Sequence, residues 1–158
     1  IENSPAELIL TPCPGTKEVA LETSLEQLKK AGANAVLTFM TQSELEKNQL
    51  SALGESVKAQ GMLWFHLPIV DDHAPEQAFL DLWKSAGPAI CSLLDQGKSI
   101  AMHCKGGSGR TGLIAAQILL ERGEKLEPVM QRIQAIRPIA FTHACHRDYL
   151  TDLDKRLK

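Results

Sequence analysis

The chain has no apolar run that approaches a membrane span; a helix needs roughly 20 such residues to cross a bilayer. Neither sign of charge is in excess, since 17 basic and 19 acidic residues leave a formal net charge of −2. That balance supplies no bulk attraction to nucleic acid or to an anionic membrane, and neither is expected as a partner. No C-x-x-C pair occurs among the four cysteines, Cys13, Cys91, Cys104 and Cys145. A chain of 158 residues does not need disulfide staples, so thiols in a reducing compartment are expected. Repeats, low-complexity tracts and linkers are absent as well. One domain over residues 1–158 with a real hydrophobic core follows. No signal-peptide pattern stands at the start, which is Ile1 rather than Met, and the expected location is the cytoplasm.

What is present alternates. Hydrophobic residues make up 44% of the chain, an ordinary globular share. AELIL reads as a first strand and TPCPG as a turn. SLEQLKKAG reads as a helix, with Ser24 and Gln27 at capping-box spacing and Gly32 as its stop. NAVLTFM is a buried strand, after which Thr41 and Glu44 repeat the capping-box spacing and open a helix through SELEKNQ. A helix around SALGESVKAQ and a strand GMLWFHLPIV, ended by Pro68, come next. DDHAPE is a loop, with Pro75 suited to the first turn of a long helix over 76–95. Within that helix Cys91 reads as a buried small hydrophobe. KSIAMH is the central strand, and RTGLIAAQILLERG a buried helix ending at Gly123. Pro128 opens PVMQRIQAIR, and HACHRDYLTDLDKRL closes the chain. Strands alternating with helices predict an α/β domain, a mainly parallel sheet with helices on both faces.

One stretch, SIAMHCKGGSGRTGL from Ser99 to Leu113, combines a strand end, a cysteine, an arginine and, between those two, three glycines. In open α/β sheets, ligands bind at the C-terminal ends of the strands, where Cys104 falls. Glycines at 106, 107 and 109 let backbone N–H groups converge into an anion nest. The helix opening near Arg110 aims its positive end at the same point, and Arg110 can grip two phosphate oxygens at once. The same surroundings favour thiolate over thiol at Cys104. Attack of that thiolate on a bound phosphoryl group gives a cysteinyl-phosphate for water to hydrolyse. This chemistry needs neither a metal nor a cofactor, and none is expected. No G-K-[ST] follows the glycines, so the loop is not a Walker loop.

Residues 103–111 fit the signature H-C-x5-R-[ST] without a gap. At these residues the chain resembles the cysteine-dependent protein tyrosine phosphatase superfamily. Together with LILTPCPGTK, GANAVLTFMTQSELEK and FHLPIVDDHAPE, in that order, it resembles the cyclin-dependent-kinase-associated group of dual-specificity phosphatases. The resemblance implies a dual-specificity-like fold, with Cys104 as nucleophile and Arg110 as phosphate clamp. It implies that Lys105, Gly106, Gly107, Ser108, Gly109 and Arg110 bind the phosphoryl oxygens through backbone amides. Thr111 would donate to the Cys104 sulfur, and His103 would fix the loop and lower the cysteine pKa. The expected partners are a phosphorylated protein and a phosphate or sulfate anion in the cysteine loop.

A leaving alkoxide or phenoxide needs a proton from across the pocket. By the same resemblance the donor is an aspartate some thirty residues before the cysteine. PIVDDHAPE offers Asp71, favoured by alignment, and Asp72; the other of the pair reads as a helix N-terminal acid. His73 reads as an exposed loop residue. Many relatives carry a water-positioning glutamine after R-P, whereas here His146 stands near that place, with His143 three residues before it. A solvated helix-surface histidine is the favoured reading of His146 over a water-positioning one, and Cys145 beside it reads as structural. No cysteine stands out as a resolving partner for Cys104. The only tyrosine, Tyr149, comes too late in the chain to stack in a deep pocket, so a shallow pocket open to phosphotyrosine, phosphoserine and phosphothreonine is expected. Lys105 raises a phosphoinositide alternative, which Ser108 weakens by occupying the place of a second basic residue. A rhodanese-type sulfurtransferase needs no general acid, and a non-catalytic binding module needs neither Cys104 nor Arg110.

Overall fold

Successive residues of a strand point to opposite faces of the sheet, and in β4 (Ser99–His103) both sets are buried. β4 is central because it pairs on both sides, with β1 (Leu8–Thr11) and with β2 (Ala33–Thr38). β2 pairs onward with β3 (Leu63–His66). All pairings are parallel, in the order β1–β4–β2–β3. This computed structural model describes residues 6–15, 20–106 and 108–158. Among them the expected architecture holds: a parallel sheet covered by helices on both faces.

Each face has its own core. Ala35, Leu37, Ile100 and Met102 face α4 (Gln77–Asp95), α5 (Gly109–Glu121), α6 (Leu126–Ile136) and α7 (Ala144–Leu157). Val36 and Ala101 face α1 (Leu21–Lys30), α2 (Gln42–Lys47) and α3 (Leu53–Ala59), which contribute Leu25, Leu45 and Val57. α5 is the helix enclosed most completely, buried from Arg110 to Ile118, as its nearly continuous apolar sequence requires.

Several boundaries differ from the sequence expectation. α1 starts a turn early at Leu21, so Ser24 lies inside it and its N–H bonds to Ala20 O. The capping box expected at Ser24 and Gln27 therefore does not form. The one at Thr41 and Glu44 does, with both reciprocal bonds in place. β3 stops at His66, but Leu67 and Ile69 still donate to Thr38 O and Phe39 O, which leads the chain across the top of β2. Pro75 lies just ahead of α4, whose N-cap is Glu76. α6 starts at Leu126, with Pro128 in its first turn, where the missing N–H costs nothing. Cys91 is half-buried rather than buried. Gly32 and Gly123 follow α1 and α5 at φ of 104° and 95°, as helix stops do.

α3 carries a close contact that fixes an indole. A Cβ on Gly54 would lie 2.4 Å from the ring of Trp64, so the ring occupies the space of a side chain. Gly54→Ala is expected to destabilise by about 1–3 kcal/mol, the usual cost of overpacking. Urea unfolding should show a lower midpoint at an unchanged slope. An unchanged midpoint would mean that Trp64 moves aside without cost.

Candidate active site

At the end of β4 the alternation of the strand separates two neighbours. His103 turns into the α1–α3 face and Cys104 into the α4–α7 face, and both are buried. The chain then loops to α5, whose first residue is Gly109. This loop is pinned from both sides. Cys13 N–H donates to Lys105 O at 3.1 Å, and Phe39 N–H to His103 O at 3.0 Å. Lys105 Nζ itself donates to Asn48 Oδ1 at the end of α2. Gly107, one of the expected phosphate-binding positions, lies outside the described residues. Gly106 is exposed and Ser108 buried.

Arg110 enters from the first turn of α5 and is only 2% exposed. Glu44 takes the end of its guanidinium fork with both oxygens, Nη1 to Oε1 at 2.6 Å and Nη2 to Oε2 at 2.9 Å. Nη1 also donates to Ile69 O at 2.8 Å. Nε is buried with no hydrogen-bond partner among the described residues. With the second proton of Nη2 it forms the side edge of the fork, a two-donor surface that matches two oxygens of an oxyanion. Burial works against both charges, yet the pairing prevails. It holds the Glu44 carboxyl below the usual carboxylate range, with help from Thr41, and pushes Arg110 up.

Glu44 is the site residue that sequence reasoning missed. Its capping-box signal was legible, because Oε1 also accepts from Thr41 N–H at 3.0 Å. Nothing in the local sequence says that the same carboxylate reaches a helix 66 residues away. Cys13 is a second such residue. Burial pushes its thiol up to about 12; Lys105 opposes this, and Cys104 and Glu44 add to it. It stands beside the loop as a neutral thiol, and no disulfide links any of the four cysteines.

His103 is fully buried, and burial pushes its pKa down to about 4. Its Nδ1 lies 3.2 Å from Cys104 O. Thr111 Oγ1, next to Arg110 on α5, is buried with no hydrogen-bond partner among the described residues.

The two aspartates diverge. Asp71 Oδ1 lies 3.6 Å from Arg110 Nη2, whereas Asp72 Oδ1 lies 2.9 Å from His143 Nε2. Asp72 has φ 63°, and the side chain of this left-handed residue meets His143 instead. The start of α7 supplies two more contacts, Cys145 Sγ to Asp72 O at 3.5 Å and His146 Nε2 to His73 O at 2.8 Å. His73 is exposed, as expected. His146 is not the solvated surface residue that was expected: it is 1% exposed. Its ring lies against the cysteine loop, with Cε1 3.9 Å from the Cβ position of Gly109. Burial lowers its pKa. Cys145 is half-buried.

Cys104, Arg110, Thr111, Lys105 and Asp71 thus come together at the C-terminal ends of β4 and β2. A helix N-terminus and a guanidinium concentrate positive potential beside a buried thiol, a setting suited to an oxyanion.

Known proteins resemble this chain in sequence and fold. Rat (Rattus norvegicus) cyclin-dependent kinase inhibitor 3 is 29% identical over 119 residues, 75% of this chain and 54% of that protein. The chain therefore spans about half the length of the curated relatives it matches. A crystal structure of kinase associated phosphatase, with its catalytic cysteine replaced by serine, superposes at a TM-score of 0.84 and 25% identity. The match covers 95% of this chain and 86% of that one. Human DUSP28 shares the fold at a TM-score of 0.70 and 20% identity, over 95% and 92% of the two chains. No helix among the described residues is long and apolar enough to cross a membrane. Residues 13–124 match the family described as "Polymorphic toxin system, DSP-PTPase phosphatase", and the chain belongs to that family.

Proposed function

We propose that residues 1–158 work as one phosphatase domain that hydrolyses phosphomonoesters on proteins through a cysteinyl-phosphate, without a metal. The observation that carries this reading is the buried fork of Arg110. Glu44 holds its end, which leaves the Nε–Nη2 edge for two phosphoryl oxygens. The amides of residues 105–110 complete the cradle, with Lys105, Gly106, Gly107, Ser108 and Gly109 as the loop. The same loop would take a free phosphate or sulfate anion. Developing negative charge then meets Arg110 and the α5 N-terminus.

Cys104 Sγ attacks phosphorus while the ester oxygen leaves. Asp71 protonates that oxygen, and its carboxyl 3.6 Å from Arg110 Nη2 supports this role over Asp72, which faces His143. Water then attacks the phosphocysteine and the thiolate departs. Thr111 Oγ1, with a proton to give, stabilises the departing sulfur. His103 secures the loop from below through Cys104 O.

A phosphoinositide is the second reading, supported by Lys105 at the first position of the loop. Ser108 stands against it. Phosphopeptides and phosphoinositide vesicles assayed side by side decide between them; faster turnover of phosphotyrosine peptides is expected.

The first test is hydrolysis of p-nitrophenyl phosphate with EDTA present. Wild type should be active and Cys104→Ser inactive. Turnover that persists in Cys104→Ser overturns the thiolate mechanism.

Asp71→Asn should lower turnover of substrates with poor leaving groups by roughly 10²-fold, and abolish the fall in rate from acidic to neutral pH. Asp72→Asn should cost much less. Equal, small effects would remove Asp71 from the role.

Glu44→Gln should cost about 2–3 kcal/mol, near the low end for a broken buried pair because Glu44 is partly exposed. Its carboxyl is held below the usual range, so its contribution is complete above the ordinary glutamate pKa of about 4.3. That contribution is lost only as pH falls through the lower folded value. The stability gap between wild type and variant should be constant from pH 7 to 5 and close at stronger acidity. A gap that closes between pH 7 and 5 would contradict this.

A further inference from the structure

Beneath the cysteine loop, three strands place three polar side chains in a row on the α1–α3 face. Trp64 Nε1 of β3 lies 2.8 Å from Thr38 Oγ1 of β2. Thr38 Oγ1 lies 2.7 Å from His103 Nε2 of β4, and His103 Nδ1 lies 3.2 Å from Cys104 O. Only one assignment of protons satisfies every member. An indole N–H only donates, and a carbonyl only accepts. Trp64 therefore donates to Thr38, and His103 Nδ1–H donates to Cys104 O. A neutral imidazole has one ring proton, so Nε2 is bare. The single hydroxyl proton of Thr38, whose oxygen already accepts from Trp64, then goes to Nε2.

We propose that Trp64 and Thr38 are positioning residues for the reaction: a one-way hydrogen-bond chain from Trp64 through Thr38 and His103 to the Cys104 carbonyl holds His103 as its Nδ1–H tautomer and fixes the first peptide of the cysteine loop. The inference rests on the reading of Cys104 as nucleophile. A trans peptide points its N–H opposite to its C=O. Holding Cys104 O toward His103 thus turns the Lys105 N–H, the first amide of the loop, away from it. Burial keeps His103 neutral, with a pKa of about 4. The other ionisable groups that face it are Arg110 from α5 and His66 from β3, which the variants below leave in place. The indole is itself held from two sides. It fills the space above Gly54 and stacks on His66 with centroids 5.1 Å apart.

Two measurements test the chain. In nitrogen-15 spectra of wild-type protein, His103 should show the Nδ1–H tautomer; an Nε2–H tautomer overturns the proposal. The second measurement is alkylation of Cys104 by iodoacetamide, followed by mass spectrometry across pH. Thr38→Val removes the hydroxyl but keeps the branched shape. On the acid limb of the alkylation profile, where the thiolate fraction falls tenfold per pH unit, it should slow alkylation about tenfold, and shift the acid limb of kcat/KM the same way. Thr38→Ser should restore both. Wild-type alkylation in folded Thr38→Val overturns the proposal. Should Thr38→Val not fold, Trp64→Phe decides. Without the indole N–H the Thr38 hydroxyl is free to turn, and His103 should populate both tautomers; retention of a single Nδ1–H form overturns the role of Trp64. Turnover by Cys104→Ser would instead overturn the nucleophile reading and leave the tautomer result standing.

Discussion

The site is organised around a cation that is expensive to bury. A lone guanidinium in the interior loses several kcal/mol of hydration, and Arg110 is almost fully enclosed. The structure makes this tolerable by bringing acceptors from separate segments to one fork. Glu44 comes from α2, Ile69 O from the chain leaving β3, and Asp71 from the loop beyond it. Each segment is thereby located relative to α5. The requirement to satisfy one charge orders these segments around α5, and Nε, the one nitrogen of the fork without a hydrogen-bond partner among the described residues, is left for a phosphate oxygen.

The loop of Asp71 and Asp72 is held at two points of different character. Toward Arg110 the contact is a loose ion pair at 3.6 Å. Toward α7 there are three contacts, from His143, Cys145 and His146, all to residues 72 and 73. The base of α7 is fixed in turn, because Arg147 donates to Phe141 O and Thr142 O. The consecutive aspartates face different partners because Asp72 adopts φ 63°, a conformation Asp tolerates better than most residues. One residue anchors the loop and leaves its neighbour at the guanidinium.

The sequence made the order of elements, the parallel sheet and the cysteine loop legible, because each rests on local pattern: apolar strands, capping residues, and glycines between a strand and a helix. What it concealed depends on tertiary contact. Glu44 looked complete as a capping residue, and its second partner lies on a helix far along the chain. His146 looked like a surface histidine because helical periodicity does not say that the loop of residues 71–73 folds over it. Ser24 and Gln27 had the spacing of a cap, but Leu21 packs half-buried against the same core as Leu25, so the helix gains a further turn and the cap is bypassed.

The alternation of β4 has one more consequence for the chemistry. Because successive residues face opposite ways, the Cys104 thiol and the imidazole next to it in sequence belong to different cores. His103 therefore cannot act on the sulfur directly; its access to Cys104 is through the backbone carbonyl. Polar groups placed in a sheet face need complete hydrogen bonding, or their burial outweighs their use. Thr38 and Trp64 meet that need for His103 without a charge. The ionised groups gather beyond the strand ends around Arg110, and within the sheet face a neutral chain holds the loop in shape beneath them.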